Sequence, residues 1–189
     1  MLENIGKLFL ENPFGQTIGI IAFLISIYNF LFCKDKKFII VTAIASLVWG
    51  IHFFAIGALV ASYINFFDIF KNLASLKWER QKSWMWKFIF AYSIIGLYTF
   101  LNIDFLTLTI GELNYFSLLP TFSAIFSTYL VFMVRGVKMK LGFLLVVLAW
   151  LIYNLAFGSI GGVMTDLSLL VAGLIGTYKD TKKAASELG

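Results

Sequence analysis

Long apolar runs alternate with short clusters of lysine and arginine along the whole chain. The runs lie at about 14–33, 38–57, 58–76, 88–102, 113–134, 141–157 and 159–178. Most are close to the roughly 20 mainly apolar residues that carry a helix through a bilayer. The pattern predicts an all-α membrane protein of seven transmembrane helices. The fourth run is short and is expected to borrow from NIDFLTLTI to finish its crossing. Little more than Ile56-Gly57-Ala58 joins the second and third runs, and Phe157-Gly158-Ser159 the sixth and seventh. These read as tight hairpins in which glycine supplies the backbone freedom.

Composition strengthens this reading. Hydrophobic residues make up 60% and charged residues 13%, with a mean hydropathy of +0.90. Soluble domains average about 45–50% apolar and about 25% charged, so a soluble chain of this length could not bury so much apolar surface. With two prolines and no low-complexity linker, 1–189 reads as a single transmembrane domain. Cys33 is the lone cysteine, which excludes an intrachain disulfide and a cysteine metal cluster. The opening MLENIGKLFLENPFG has no basic head and no small-x-small site, so no removable signal peptide is expected.

The net charge of +5 belongs to topology rather than to nucleic acid. Lys34, Lys36 and Lys37 follow span 1. Lys71, Lys77, Arg80, Lys82 and Lys87 stand between spans 3 and 4, Arg135, Lys138 and Lys140 after span 5, and Lys179, Lys182 and Lys183 after span 7. With seven spans all of these share one side, leaving the other with Lys7 plus Glu3, Glu11, Asp104 and Glu112. The positive-inside rule makes the rich side cytoplasmic, so the N-terminus is expected outside and the C-terminus inside. Trp78, Trp84 and Trp86, interleaved with lysines near a basic loop at 77–87, read as an anchor in the headgroup layer.

A gap-free shift of 101 positions overlays the two ends of the chain. Glu11 falls on Glu112, Ser26 on Ser127, Tyr28 on Tyr129, Lys37 on Lys138, Trp49 on Trp150 and Gly57 on Gly158. His52 meets Tyr153 and Asn65 meets Asp166. Repeat 1 at about 11–76, a connector helix at about 88–102 and repeat 2 at about 112–178 make a 3+1+3 arrangement. Three spans, one connector and three spans must insert with the same orientation, as parallel repeats. Such repeats commonly place a solute site near mid-membrane on their shared axis.

Trp49 and Trp150 lie near the middle of spans 2 and 6, and Asn65 and Asp166 about two turns in from the hairpins. Polar groups at such depth face a cavity or the bundle interior. An aromatic face beside amide and carboxylate suits a small polar ligand. Tyr153 and His52 join the candidate lining, and His52 is also placed to tie the outer end of its hairpin. Asp68, on the helical face of Asn65 and Asn72, is a candidate for coupling, with pairing to Lys71 as the structural alternative. Pro120 interrupts span 5 and is a candidate hinge. The small residues Gly15, Gly19, Ala22 and Ser26, and Ser117, Thr121, Ala124 and Ser127, form packing stripes.

HFFAIGALVASYIN and, in the second half, GSIGGVMTDLSLL resemble the YgjV-type bacterial inner-membrane proteins over nearly the whole chain. The resemblance implies a multi-pass protein of the bacterial inner membrane. It also implies the fold of the SWEET, PQ-loop and KDEL-receptor relatives. In SWEET sugar facilitators, helices 2 and 6 contribute a tryptophan pair and helices 3 and 7 an asparagine pair. The matching positions here are Trp49 with Trp150, and Asn65 with Asp166. Asp166 departs from the neutral amide and points to a cationic or proton-coupled solute. Gly19 departs from the proline hinge of helix 1, and Pro120 alone keeps it.

The function expected is that of a small-solute transporter or facilitator, downhill or ion-coupled, since no ATP-binding motif is present. The alternative is a receptor or assembly protein of the same fold that binds without translocating. An enzyme is not expected: there is one histidine, no HExxH and no G-x-S-x-G. No cofactor or metal is expected. The partners expected are a small polar solute and membrane lipids, with a homo-oligomer allowed and nucleic acid excluded.

Overall fold

The computed structural model describes residues 7, 9–33, 35–78, 81–102, 111–134 and 136–186. Glu3, Lys34, Arg80, Asp104, Arg135 and the completion of span 4 at 103–110 lie outside the described residues, as do the side chains of Lys36, Lys140, Lys179, Lys182 and Lys183. Among the described residues there are seven long α-helices and no strand. They are α1 (Pro13–Phe32), α2 (Asp35–Ala55), α3 (Leu59–Lys77), α4 (Lys82–Phe100), α5 (Leu118–Met133), α6 (Gly136–Ala156) and α7 (Ile160–Ser186). A 3-10 turn at Tyr115–Ser117 leads into α5.

Local chemistry sets the helix ends. Asn12 caps α1 by accepting from the Gly15 N–H at 2.9 Å, with Pro13 in the first turn, where its missing N–H costs nothing. Both glycine hairpins are built alike. Gly57 has φ +78° and Gly158 φ +64°. The following amides, Ala58 and Ser159, donate to Phe53 and Asn154 carbonyls at 2.8 and 3.0 Å. This is the six-to-one bond of a Schellman stop, and it needs a left-handed residue at the glycine.

Three sequence expectations change. α4 starts at Lys82 rather than near 88, so Lys82, Trp84, Trp86 and Lys87 are helical, not loop, residues. Trp78 folds back to stack on Trp84 with centroids 3.8 Å apart, and Lys77 and Lys87 lie over the two indoles. Lys71 is no loop charge either. It lies in α3, six residues short of Lys77 or about 9 Å at 1.5 Å per residue, and is buried. Pro120 sits in the first turn of α5, after the 3-10 turn, where a proline removes no essential helical bond. The 16 residues of α5 then run unbroken, with no mid-helix hinge.

The helices close into a ring. α1 packs on α2 and α7, α3 on α2 and α5, and α6 on α5 and α7, while α4 lies outside against α3 and α5. One end of the ring carries the two glycine hairpins and the start of α1; we call it the hairpin end. The other, the basic end, carries the Cys33, Trp78 and Val134 helix stops.

The distribution of residues is inverted relative to a soluble fold. Leu24, Phe54, Phe70, Phe90, Leu155 and Leu174 face outward. Gln16, His52, Ser62, Lys71, Ser123 and Asp166 are buried. Helices with apolar exteriors and polar seams are what a bilayer selects. The 19 residues of α3 and of α4 rise about 28 Å, matching a core about 30 Å thick. By length and composition alone, Tyr115–Met133 is the one described stretch that passes as a span. Pro13–Asn29, Ile39–Ala55, Leu141–Ala156 and Ile160–Ile175 are shorter apolar runs among the described residues.

Candidate functional site

α2 and α6 face each other across the ring through aromatic rings. Phe53 stands between the two tryptophans, stacked on Trp49 with centroids 5.7 Å apart and on Trp150 at 5.7 Å. Tyr153 meets both Phe53 and Trp150 edge-on and stacks on Phe157 at 4.4 Å. The space expected between Trp49 and Trp150 is therefore filled by Phe53. The i,i+4 spacing of Trp49 and Phe53 was the available signal, since it puts both rings on one helical face. Trp49 is further held by its indole N–H, which donates to Ser26 Oγ at 3.1 Å.

The polar members of the expected site do not meet each other. Asn65 turns back to its own helix, donating to the Ala61 carbonyl at 2.9 Å. Asp166 instead accepts from Asn154 Nδ2 at 2.7 Å. Asn154 was missed in the sequence, although it lies four residues after Trp150 on the same face. Its own carbonyl oxygen, Oδ1, is buried without a hydrogen-bond partner among the described residues. Gly162 makes this possible, because a Cβ there would overlap the Asn154 amide. The result is a buried carboxylate–amide pair with one unused acceptor, beside the aromatic stack.

His52 is fully buried at the hairpin end. Its Nδ1 lies 2.7 Å from the Gly15 carbonyl and its Nε2 2.7 Å from Ser159 Oγ. A carbonyl can only accept, so Nδ1 carries the proton. In the neutral ring Nε2 accepts from the Ser159 hydroxyl, whose oxygen accepts in turn from the Gly162 N–H at 3.1 Å. His52 thus ties α1, α2 and α7 together, with both ring nitrogens used by the protein. Gln16 reinforces the seam: its amide donates to the Gly158 carbonyl at 2.9 Å and accepts from the Ile160 N–H at 3.1 Å. Asn12 donates to the Ala55 carbonyl at 2.6 Å.

Asp68 lies in a second polar cluster nearer the basic end. Its Oδ1 is 2.6 Å from Lys71 Nζ and also accepts the Tyr92 hydroxyl. Lys71 reaches Ser127 Oγ of α5 at 3.5 Å and lies over the Tyr92 ring. The cluster therefore joins α3, α4 and α5.

A cavity of about 260 Å³ opens at the hairpin end, lined among others by Tyr63, Tyr98, Thr99, Asn102, Asn114 and Tyr153. A second recess, about 490 Å³, lies on α7 along Leu167, Val171 and Ile175. It is a lipid-facing groove, since those three side chains are exposed and apolar. Of the expected site residues only Tyr153 lines either cavity.

Comparison with known proteins agrees with this membrane architecture. The family Imp-YgjV, described as bacterial inner membrane protein, matches residues 13–184. Inner membrane protein YgjV of Escherichia coli (strain K12) is 31% identical over 157 residues, covering 83% of this chain and 79% of that protein. No solved structure matches the chain. With nearly its whole length matched and its apolar helices closed round a polar interior, the chain belongs to the Imp-YgjV family of bacterial inner membrane proteins, as a multi-pass member.

Proposed function

We propose that the chain is a small-solute transporter or facilitator, built SWEET-like from two parallel three-helix repeats joined by α4. All seven helices would span the membrane, with the N-terminus outside and the C-terminus in the cytoplasm. Register supports the repeat. Adding 101 to the bounds of α2, Asp35–Ala55, gives those of α6, Gly136–Ala156, and the same shift carries one left-handed glycine onto the other. The ring order supports a two-fold relation, since α1–α7 and α3–α5 become equivalent seams. Moving Lys71 into α3 leaves the charge asymmetry of the loops intact.

The observation that carries the reading is the Asp166–Asn154 pair. A carboxylate and an unused amide oxygen buried beside an aromatic stack are expensive to keep in a membrane interior, and groups of that kind mark solute or ion paths. Trp49, Trp150, Asn65 and Asp166 would contact the solute once Phe53 swings from between the indoles, with Tyr153 and His52 bordering the site. Asp68 would serve coupling through Lys71. The solute would be small and polar, and Asp166 would take up a proton coupled to its passage. Membrane lipid would cover the apolar exterior, and a second copy could pack there.

One observation favours the non-transporting receptor or assembly reading: the Phe53 ring closes the aromatic seat. A thermal-shift screen of purified protein followed by counterflow in proteoliposomes separates the two. A solute at 100 times its dissociation constant stabilises by about 2.7 kcal/mol. Transport predicts a stabilising solute that also shows saturable counterflow, with both effects lost in Asp166→Asn. A stabilising solute without counterflow selects the receptor reading, and one indifferent to Asp166→Asn and Trp150→Ala refutes the central site.

A further inference from the structure

The two seams that a two-fold axis would make equivalent are not alike at the hairpin end. The α1–α7 seam is zipped by Gln16 against Gly158 and Ile160, and by His52 against Ser159. The backbones touch where Gly161 faces Gly19, because a Cβ on Gly161 would overlap the Gly19 carbonyl. At the α3–α5 seam the side chains that make the zip are replaced. Gln16 corresponds to Ser117, Gly19 to Pro120 and His52 to Tyr153. Beside it, at the hairpin end, the cavity of about 260 Å³ lies between the start of α3, the end of α4 and Tyr153 and Phe157 at the end of α6.

We propose that this cavity is a water-filled vestibule on the non-cytoplasmic face, through which a small uncharged polar solute gains access to the ring, while the α1–α7 seam stays shut as the fixed side. The inference rests on the solute-handling reading above and adds to it the access side and the ligand class. No charged side chain lines the cavity among the described residues. Its polar groups are the hydroxyls of Tyr63, Tyr98 and Thr99 and the amides of Asn102 and Asn114, set among aromatic faces. Neutral donors and acceptors on an aromatic wall recognise hydroxylated or amide solutes and give a free charge no partner. The volume lies just below the usual range of ligand pockets, about 300–1,000 Å³, which limits the ligand to about one sugar ring or nucleobase. Tyr153 links the vestibule to the interior, since it both lines the cavity and packs on Phe53 and Trp150.

The test exploits a matched pair. Tyr63 and Met164 are register counterparts with nearly equal exposure, 45% and 43%, but only Tyr63 lines the cavity. In a Cys33→Ala background, single cysteines at Tyr63, Tyr98, Met164 and Leu97 are treated in intact cells with a membrane-impermeant thiol reagent. Total thiol after denaturation normalises for folded yield. Tyr63→Cys and Tyr98→Cys are expected to label on the order of tenfold or more faster than Met164→Cys and Leu97→Cys, because only a hydrated thiol forms the reactive thiolate. Equal labelling of Tyr63→Cys and Met164→Cys, or labelling of Tyr63→Cys only after permeabilisation, overturns the vestibule. Added hexose, inositol or uracil is expected to slow labelling at Tyr63, and lysine or glutamate to leave it unchanged. Protection by the charged pair alone, or by none of the five, overturns the ligand assignment. Thiol mapping needs no transport, so a mapped vestibule without counterflow would sink the transporter reading and leave this inference standing.

Discussion

Lys71→Met offers the sharpest test of the interior. The substitution keeps the stem and removes the charge, leaving Asp68 with the Tyr92 hydroxyl but no cation. Breaking a buried ion pair from one side costs about 3–5 kcal/mol, because the remaining charge stays desolvated. The Asp68 side chain is 20% exposed and Lys71 only 5%. Tyr92 still donates a hydrogen bond to the stranded carboxylate, so the low end, about 3 kcal/mol, is expected for Lys71→Met. Asp68→Asn strands the deeper ammonium, whose other hydrogen bond, to Ser127, is long at 3.5 Å, so its loss should be at least as large. For a chain of this length about 3 kcal/mol lowers Tm by roughly 6–12 °C. The double variant Asp68→Asn with Lys71→Met removes both charges, lets Tyr92 keep an acceptor, and should return to within about 1 kcal/mol of the parent. Cys33 supplies the assay, since it is buried and free and becomes reactive to a fluorogenic thiol dye as micelle-solubilised protein unfolds. An unchanged Tm for Lys71→Met, or a double variant that loses the sum of the two single losses, would refute the argument.

Other outcomes follow from the same contacts. Gly161→Ala forces the α1 and α7 backbones apart and should cost about 1–3 kcal/mol in the thiol-unfolding assay, whereas alanine at exposed Val171 should cost little. His52→Ala strips hydrogen-bond partners from the Gly15 carbonyl and Ser159 and opens a void beside Gly19; a loss of about 3 kcal/mol or more is expected by the same readout. Phe53→Ala should destabilise by about 3–5 kcal/mol, yet bind an added aromatic or sugar ring between Trp49 and Trp150, seen as quenching of indole fluorescence. Gly57→Ala leaves open space around the new methyl, so its cost, about 1–2 kcal/mol, should come from the left-handed backbone alone.

Much of the chain was legible one helix at a time. The hairpins at Gly57 and Gly158 could be read because a Schellman stop is a local requirement, satisfied within six residues. The 101-residue spacing of Gly57 and Gly158 was visible too, because both positions meet the same local turn requirement. Pro120 misled because the sequence does not say whether a proline falls in a first turn or a middle one. Lys71 misled because a lysine near the end of an apolar run looks like a loop charge until a partner such as Asp68, one helical turn away, holds it inside.

What the sequence by itself determined is the class: a multi-pass helical membrane protein, its element order and its tight turns. These follow from apolar run length and backbone stereochemistry, which act over a few residues. Only the tertiary structure decided that six helices close into a ring, that Phe53 stands between Trp49 and Trp150, and that Asp166 takes Asn154 rather than Asn65 as its partner. It also decided that Gln16 and His52 zip the α1–α7 seam while a cavity opens between α3, α4 and α6. The physical reason is that in lipid an apolar ring is equally at home facing outward or inward. Hydropathy therefore cannot assign a face, and only packing between helices far apart in sequence selects which side chains meet.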